Sequence, residues 1–211
     1  MANYILFDFD GTVFDTVEGI TKSVQYALRK FGIEAELSQL ICFAGPPLVD
    51  MFQEKFGLSY EQAQQAVVWF RERYQPIGLY ESRPFAGMKE LLEKLRSAGK
   101  KTAIATIKYQ PMAEKLLERS GMDGLFDVVC GSPAERSLTK KELVEKAMEL
   151  LGAESGESVL IGDTKYDLLG AQQAGISFIG AGYGYAPEKL REMKAEVIAN
   201  SVEELGTLLL N

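Results

Sequence analysis

The sequence contains no histidine, and this absence excludes several common enzyme mechanisms. Serine–histidine–aspartate triads, cysteine–histidine pairs, histidine-ligated zinc and histidine acid–base catalysis all need an imidazole. Carboxylates, lysines and hydroxyl groups are the catalysts that remain available. An active site in these 211 residues is therefore expected to be built from those groups.

Cysteine is scarce and long apolar runs are missing. Cys42 and Cys130 are too few for a disulfide framework, and both are predicted to be buried thiols. No segment approaches the ~20 apolar residues of a membrane-spanning helix, and Met1-Ala2-Asn3 lacks the basic start of a signal peptide. These features predict a cytoplasmic protein that does not contact a membrane.

Basic residues are outnumbered by acidic ones, 23 against 30, which gives a net charge of −7. Proteins that bind nucleic acid gather lysine and arginine into a basic face, so a nucleic-acid partner is not expected. A chain of this length can form one large domain, or a domain with an insertion, and either can bury a substantial core.

The strongest pattern is an apolar run, residues 4–7, that ends in Asp8, Asp10, Gly11 and Thr12. A strand buried on both faces of a parallel sheet has this composition, and ligands bind beyond the carboxyl ends of such strands. Side chains two apart on a strand share a face, so Asp8 and Asp10 would repel each other unless a cation lay between them. Their oxygen ligands favour Mg²⁺.

Helical periodicity dominates residues 16–81, in which no convincing strand pattern appears. Asp15 and Glu18 have the spacing of a capping box at the start of the first helix. Further helices are predicted over residues 48–56 and from Ser59 onward. Because a βαβ crossover is far shorter than this region, it is predicted to be an inserted helical module.

Strand and helix patterns then alternate regularly to the end of the chain. This alternation predicts an α/β fold in which helices cover both faces of a parallel sheet. Thr106 ends its strand as Asp8 does. The glycine-rich residues 180–184 lack the spacing of a dinucleotide-binding loop and are predicted to be an irregular loop. The predicted strands cover residues 101–106, 126–130, 158–161 and 176–179.

Three stretches resemble motifs of the haloacid dehalogenase-like phosphohydrolases. Asp8-Phe9-Asp10-Gly11-Thr12 resembles the first motif in its phosphatase version, residues 104–108 resemble the second, and Gly162-Asp163 with Asp167 resembles the metal motif. The whole chain is most similar to the phosphoglycolate phosphatase-like branch. The resemblance implies a Rossmann-like, doubly wound core of residues 1–15 and 82–211, with a helical cap domain of residues 16–81.

The resemblance also implies roles for these residues. Asp8 would be the nucleophile and Asp10 the acid and base, while Thr106 would hydrogen-bond the phosphoryl oxygens. Mg²⁺ would be bound by Asp8, Asp163 and the carbonyl of Asp10, with Asp167 supporting the site. The remaining substrate-binding positions that the resemblance implies are the backbone at Gly11 and Ile107, and Gly45 in the cap.

A lysine that neutralises the nucleophile and the phosphate is also implied, from the helix start after the next strand. Thr139-Lys140-Lys141 offers two candidates. Lys140 is favoured because Thr139 would cap the helix and place Lys140 at the positive end of its dipole. Lys141 remains a competitor, since the proline that often follows the family's lysine is absent.

The function implied is a Mg²⁺-dependent phosphatase that hydrolyses a small phosphorylated metabolite through an aspartyl-phosphate, as a monomer or homodimer. A 5'-nucleotidase or pyrophosphatase of the same family is the main alternative. A sugar phosphomutase is disfavoured by Thr12 and by the absence of histidine. A non-catalytic phosphate-binding module would need only one or two of these groups.

Overall fold

A computed structural model of the chain describes residues 2–133 and 138–210, and the described residues fall into two compact units. The first unit comprises Met1–Phe14 and Pro84–Asn211, and the second comprises Asp15–Arg83. The expected cap, residues 16–81, falls within the second unit. Its role as a cap stays a prediction.

Within the described residues, six strands of the first unit form one parallel sheet in the order β5-β4-β1-β6-β7-β8. The strand β1 lies between β4 and β6. From β4 the chain continues to β5 at one edge of the sheet, and from β6 it continues to β7 and β8 towards the other edge. Three of the strands, β2, β3 and β8, are short, with two residues each. The strands are β1 (Tyr4–Phe7), β2 (Phe14–Asp15), β3 (Arg83–Pro84), β4 (Lys101–Tyr109), β5 (Val128–Ser132), β6 (Ser158–Gly162), β7 (Ser177–Ala181) and β8 (Ile198–Ala199).

The centre of the sheet is apolar because helices cover both of its faces. Leu6, Ala103 and Leu160, from three adjacent strands, are fully buried and pack in one cluster with Val144 and Ala147. The α/β fold predicted from the sequence is therefore confirmed. The helices are α1 (Val17–Arg29), α2 (Leu48–Phe56), α3 (Tyr60–Tyr74), α4 (Met88–Ser97), α5 (Gln110–Ser120), α6 (Lys140–Leu151), α7 (Lys165–Ala174), α8 (Pro187–Glu192) and α9 (Val202–Leu210).

The second unit is helical, as the periodicity of its sequence predicts. Aromatic side chains hold it together: the Phe43 and Phe52 ring centroids are 5.0 Å apart, and those of Phe31 and Trp69 are 4.9 Å apart. Arg73 donates two hydrogen bonds to the Glu81 carboxylate, at 3.0 and 3.1 Å. In the part of the chain that the structure describes, every helix is too short or too polar to cross a membrane.

Several local predictions are wrong. The first helix is not capped by Asp15: its N-cap is Thr16, and the Asp15 carboxylate accepts a long hydrogen bond, 3.4 Å, from the Val17 amide. The strand β4 continues past Thr106 to Tyr109, with a shift in its pairing to β5 between these two residues. Cys42 is exposed, whereas Cys130 is buried as predicted.

The glycine-rich stretch is also more regular than predicted. Gly180 and Ala181 belong to β7, and only residues 182–185 form an irregular turn. One glycine followed by one alanine carries almost no hydrophobic pattern, so this part of the strand is stabilised by pairing rather than by its own composition. Gly180 pairs with β6 on one side and with β8 on the other.

Candidate active site

Carboxylates cluster at the point where β1 and β6 end. Asp8 directly follows β1, Asp163 directly follows β6, and Asp167 lies in the first turn of α7. All three side chains are buried, with residue exposures of 4% or less. Among the described residues, Asp8, Asp163 and Asp167 each offer one carboxylate oxygen to a set that lies within 4.8 Å. The strands bring these groups together because the carboxyl ends of parallel strands meet at one edge.

Lys140 reaches this cluster from the first position of α6. Its Nζ donates to Asp8 Oδ1 at 2.7 Å and to the Ala105 carbonyl at 2.9 Å, and it lies 2.7 Å from Asp167 Oδ1. Gly170 of α7 leaves room for this lysine, because a Cβ there would come within 2.4 Å of Lys140 Cγ. The lysine stem therefore passes between two helices to reach the carboxylates.

Lys141, the competing candidate, points elsewhere. Its side chain is 44% exposed, and its Nζ lies 3.5 Å from the Glu145 carboxylate one turn along α6. Thr139 is the N-cap of the helix, and its hydroxyl accepts a hydrogen bond from the Glu142 amide at 3.2 Å. This cap fixes the helix register that buries Lys140 and exposes Lys141.

The carboxylates perturb one another strongly. Burial raises the pKa of Asp8 to about 6, although the charge of Lys140 opposes the rise. Burial and the nearby charge of Asp167 raise the pKa of Asp163 well above its ordinary value. Burial alone would lower the pKa of Lys140, but the charges of Asp167 and Asp8 outweigh it and raise the pKa. Lys140 thus stays protonated beside the carboxylates.

A divalent cation fits this donor set. Asp8, Asp163 and Asp167 bring three carboxylates into one buried space, and Lys140 supplies one positive charge against them. The oxygen ligands suit Mg²⁺, which prefers carboxylates, carbonyls and water. A bound cation would lower the pKa of each carboxylate and remove the electrostatic cost of burying them.

Asp10 does not join the carboxylate cluster through its side chain. Lys108 Nζ donates to both Asp10 carboxylate oxygens, at 2.9 and 3.3 Å, and the Lys108 side chain is only 5% exposed. Sequence reasoning gave Lys108 no role. The strand predicted from the sequence ends at Thr106, so Lys108 lies beyond it in that prediction and is not linked to the site.

The other predicted site residues lie in different surroundings. Thr106 is buried, and its hydroxyl accepts a hydrogen bond from the Lys108 amide at 3.2 Å. Ile107, between them on β4, is partly buried. Gly11 has a φ of +77°, which glycine adopts without strain. Gly45 belongs to the second unit and is not part of the cluster.

Comparisons with known proteins agree with this geometry. Residues 5–181 match the model of the family described as haloacid dehalogenase-like hydrolase. A 5'-nucleotidase of Pseudomonas aeruginosa is 39% identical over 206 residues, which cover 97% of this chain and 92% of the relative. Pyrophosphatase PpaX of Halalkalibacterium halodurans is 31% identical over 207 residues, covering 96% of this chain and 94% of the relative.

A solved structure is similar over the whole chain. The crystal structure of a predicted phosphatase from Clostridium acetobutylicum has a TM-score of 0.94 and 37% identity, and the match covers 100% of this chain and 99% of the other. The parallel sheet with carboxylates at its strand ends, together with these relatives, places the chain among the phosphatases of the α/β class. The chain belongs to the haloacid dehalogenase-like hydrolase family. The resemblance seen in the sequence motifs is thereby confirmed.

Proposed function

We propose that the protein is a Mg²⁺-dependent phosphatase that hydrolyses a small phosphomonoester through an aspartyl-phosphate on Asp8. The observation that carries the proposal is the position of Lys140, whose Nζ lies 2.7 Å from both Asp8 and Asp167. A buried ammonium between two carboxylates keeps the nucleophile ionised and attracts a phosphate dianion.

In the first half-reaction an Asp8 oxygen attacks phosphorus in line, and the bond from phosphorus to the leaving oxygen breaks. Asp10 would act as the general acid and donate a proton to the leaving alkoxide, so an alcohol departs. In the second half-reaction Asp10 takes a proton from water, which attacks the phosphorus and regenerates the Asp8 carboxylate. Inorganic phosphate is the second product.

The phosphoryl oxygens are held by groups from several elements. Thr106 and Lys140 would contact them, together with the backbone at Gly11 and Ile107. Asp8, Asp163 and the Asp10 carbonyl would hold Mg²⁺, with Asp167 behind them. When bound, the ion neutralises charge that develops on the phosphoryl group.

Phosphoglycolate-like monoesters are the proposed substrates. The names of the relatives also support a nucleoside 5'-monophosphate or pyrophosphate as the alternative. Residues 16–81, with Gly45, are proposed to act as a cap that contacts the leaving group. The scarcity of cysteine supports a cytoplasmic enzyme, whose oligomeric state is proposed as a monomer or homodimer.

A trapping experiment tests the proposal. Rapid quenching with substrate labelled in its phosphate should give a labelled protein whose label maps to Asp8. Asp8→Asn should abolish labelling and turnover, because an amide cannot form the acyl phosphate, while exposed Asp123→Asn should keep both. Adding EDTA should stop turnover and Mg²⁺ should restore it. A label on another residue would overturn the assignment.

A further inference from the structure

Residues 182–185, here called the clamp loop, connect β7 to the segment before α8 and contact the first motif. The Gly182 amide donates to the Ala199 carbonyl at 2.7 Å, which fixes the start of the loop to β8. The Gly184 amide donates to the Ala181 carbonyl at 3.0 Å, which closes the turn. The loop is therefore held by backbone hydrogen bonds at a fixed place beside the carboxylate cluster.

Asp163 is packed between two glycines. A Cβ on Gly11 would come within 2.3 Å of Asp163 Oδ2, and a Cβ on Gly184 would come within 2.3 Å of Asp163 Cβ and 2.4 Å of the Gly11 carbonyl oxygen. These separations are far shorter than any van der Waals contact, so neither position has space for a side chain. The φ of Gly184 is outside the left-handed region, so this glycine is required for space alone.

The clamp loop also supplies directional contacts. The Tyr185 amide donates to Asp163 Oδ2 at 2.8 Å, while the Thr12 hydroxyl lies 3.4 Å from Oδ1, so both carboxylate oxygens are oriented. The Tyr183 hydroxyl donates to the Thr12 carbonyl at 3.1 Å, and its ring packs against Phe85 with centroids 5.0 Å apart. Burial, with the nearby charge of Asp163, raises the pKa of Tyr183 and keeps this hydroxyl protonated.

We infer that the clamp loop is a positioning element that fixes the Asp163 carboxylate and thereby sets the affinity of the site for Mg²⁺. The inference rests on the proposed function, in which Asp163 binds the ion. Residues that orient a metal ligand typically change metal affinity by about 10- to 100-fold when they are altered. The clamp loop orients the Asp163 carboxylate in two ways. Gly184 packs against the Asp163 side chain, and the Tyr185 amide donates a hydrogen bond to it.

Gly184→Ala is the main test, with Gly156→Ala as its matched control. Gly156 lies in an exposed turn where a Cβ would meet nothing within 4 Å. Calorimetric titration of Mg²⁺ into the metal-free proteins should show affinity weakened at least ~10-fold in Gly184→Ala and unchanged in Gly156→Ala. The Mg²⁺ concentration that gives half-maximal turnover should rise by the same factor. Unchanged Mg²⁺ affinity in a folded Gly184→Ala protein would overturn the inference.

Two further measurements keep the test decisive if Gly184→Ala fails to fold. Tyr183→Phe removes only the hydroxyl that donates to the Thr12 carbonyl, and should weaken Mg²⁺ binding by about 5-fold, as expected for one hydrogen bond. In the metal-free protein, Asp163→Ala should accelerate hydrogen exchange of the Tyr185 amide, because that amide loses its acceptor. The inference would be overturned if the Tyr185 amide exchanged at the wild-type rate in Asp163→Ala, or if Tyr183→Phe bound Mg²⁺ with unaltered affinity.

The same measurements separate this inference from the proposed function. If wild-type protein bound no Mg²⁺ while Asp163→Ala still accelerated exchange at Tyr185, the loop would hold Asp163 as described, but the proposed metal dependence would be wrong and the link to Mg²⁺ affinity would be overturned with it. If wild type bound Mg²⁺ and the loop variants bound it equally well, only the inference would fail.

Discussion

At the scale of single residues, Lys140 has the most demanding environment in the site. Its ammonium is buried and lies within 2.9 Å of two carboxylate oxygens and one carbonyl oxygen. A lysine is costly to bury unless such partners surround it, and at a helix N-terminus it also opposes the dipole. A role for the Lys140 ammonium in binding phosphate would explain why the site bears these costs.

Lys140→Ala and Lys141→Ala should therefore differ sharply. We expect Lys140→Ala to lower turnover by ~100-fold or more, because it removes a major charge stabiliser. Lys141→Ala should change turnover little, since that side chain is 44% exposed and pairs with Glu145. Steady-state kinetics at saturating Mg²⁺ provide the comparison. Equal or reversed losses would contradict the role proposed for Lys140.

Lys108 gives a second prediction at this scale. We expect the Asp10 carboxylate to lose its orientation in Lys108→Met, because both of its oxygens now accept hydrogen bonds from Lys108. For an alkyl phosphate, kcat/KM should fall by ~10-fold or more, since general acid catalysis contributes about 100-fold or more. An aryl phosphate with an acidic leaving group needs less proton transfer and should lose less.

Lys94→Met, at an exposed position of α4, is the control for that comparison. Equal losses on alkyl and aryl phosphates in Lys108→Met would indicate that Lys108 does not act through Asp10. Measuring kcat/KM is essential, because this constant reports steps up to release of the leaving group and excludes hydrolysis of the phosphoenzyme.

The sequence predicts some of these residues better than others. Asp8 and Asp163 could be placed beforehand because each follows an apolar strand, and strand ends of a parallel sheet meet. Lys108 could not be distinguished from a solvated lysine, because its burial depends on contact with a residue 98 positions away. The Asp15 cap failed for a related reason: the spacing was right, but the chain turns at Thr16 instead.

At the scale of elements, the start of α6 connects stability to the site. Thr139 and Glu142 form a reciprocal capping box, in which the Glu142 carboxylate accepts a hydrogen bond from the Thr139 amide at 2.8 Å. Lys140 directly follows Thr139, so the direction of the Lys140 side chain depends on the geometry of this turn. A loss of the cap should therefore affect both the free energy of unfolding and the position of the ammonium.

Thr139→Ala should lower the free energy of unfolding by ~1 kcal/mol, the usual value of an N-cap, and Tm by ~2–4 °C. Turnover should also fall by ~10-fold, because small displacements of a catalytic charge are costly. Ser59→Ala removes an equivalent capping box from α3 and should cost similar stability without that loss of rate. Thermal unfolding and steady-state kinetics on both variants check this. Equal rate losses would show that the cap of α6 has no special relation to the site.

Long elements follow from the sequence, whereas short ones do not. The helix α6 begins at Lys140, directly after Thr139, as the predicted N-cap requires. The strands β2, β3 and β8 have two residues each and were not predicted, since two residues carry no period. Such strands exist because a distant segment supplies their hydrogen bonds. The extension of β4 to Tyr109 has the same cause, through pairing with Ser132.

At the scale of the whole molecule, the order of strands explains where the site lies. The chain passes from β1 to β4 and β5 on one side of the sheet, and then from β6 to β7 and β8 on the other. Because β1 and β6 are neighbours, the connections that leave their carboxyl ends run in opposite directions. Open α/β sheets bind ligands at such a switch point. The alternation of elements predicted a parallel sheet, but the order of its strands was not predicted, because periodicity does not specify which strands are neighbours.

The final prediction concerns the division of labour between the two units. All members of the carboxylate cluster, with Lys108 and Lys140, belong to the first unit. Replacing residues 16–81 by a short linker should therefore leave the sheet folded, as circular dichroism would show. With no leaving-group contacts from the proposed cap, the variant should still hydrolyse phosphomonoesters, but slowly.

Substrate preference is the decisive measurement, because selectivity requires contacts that distinguish one leaving group from another. We expect the intact protein to prefer 2-phosphoglycolate over a nucleoside 5'-monophosphate and pyrophosphate, and the shortened variant to hydrolyse all three at kcat/KM values within ~10-fold of one another. The same shortened chain with Asp8→Asn should be inactive, which controls for contaminating phosphatases. A shortened variant that kept the full preference would show that selection lies in the first unit. Preference of the intact protein for the nucleotide would instead favour the 5'-nucleotidase alternative.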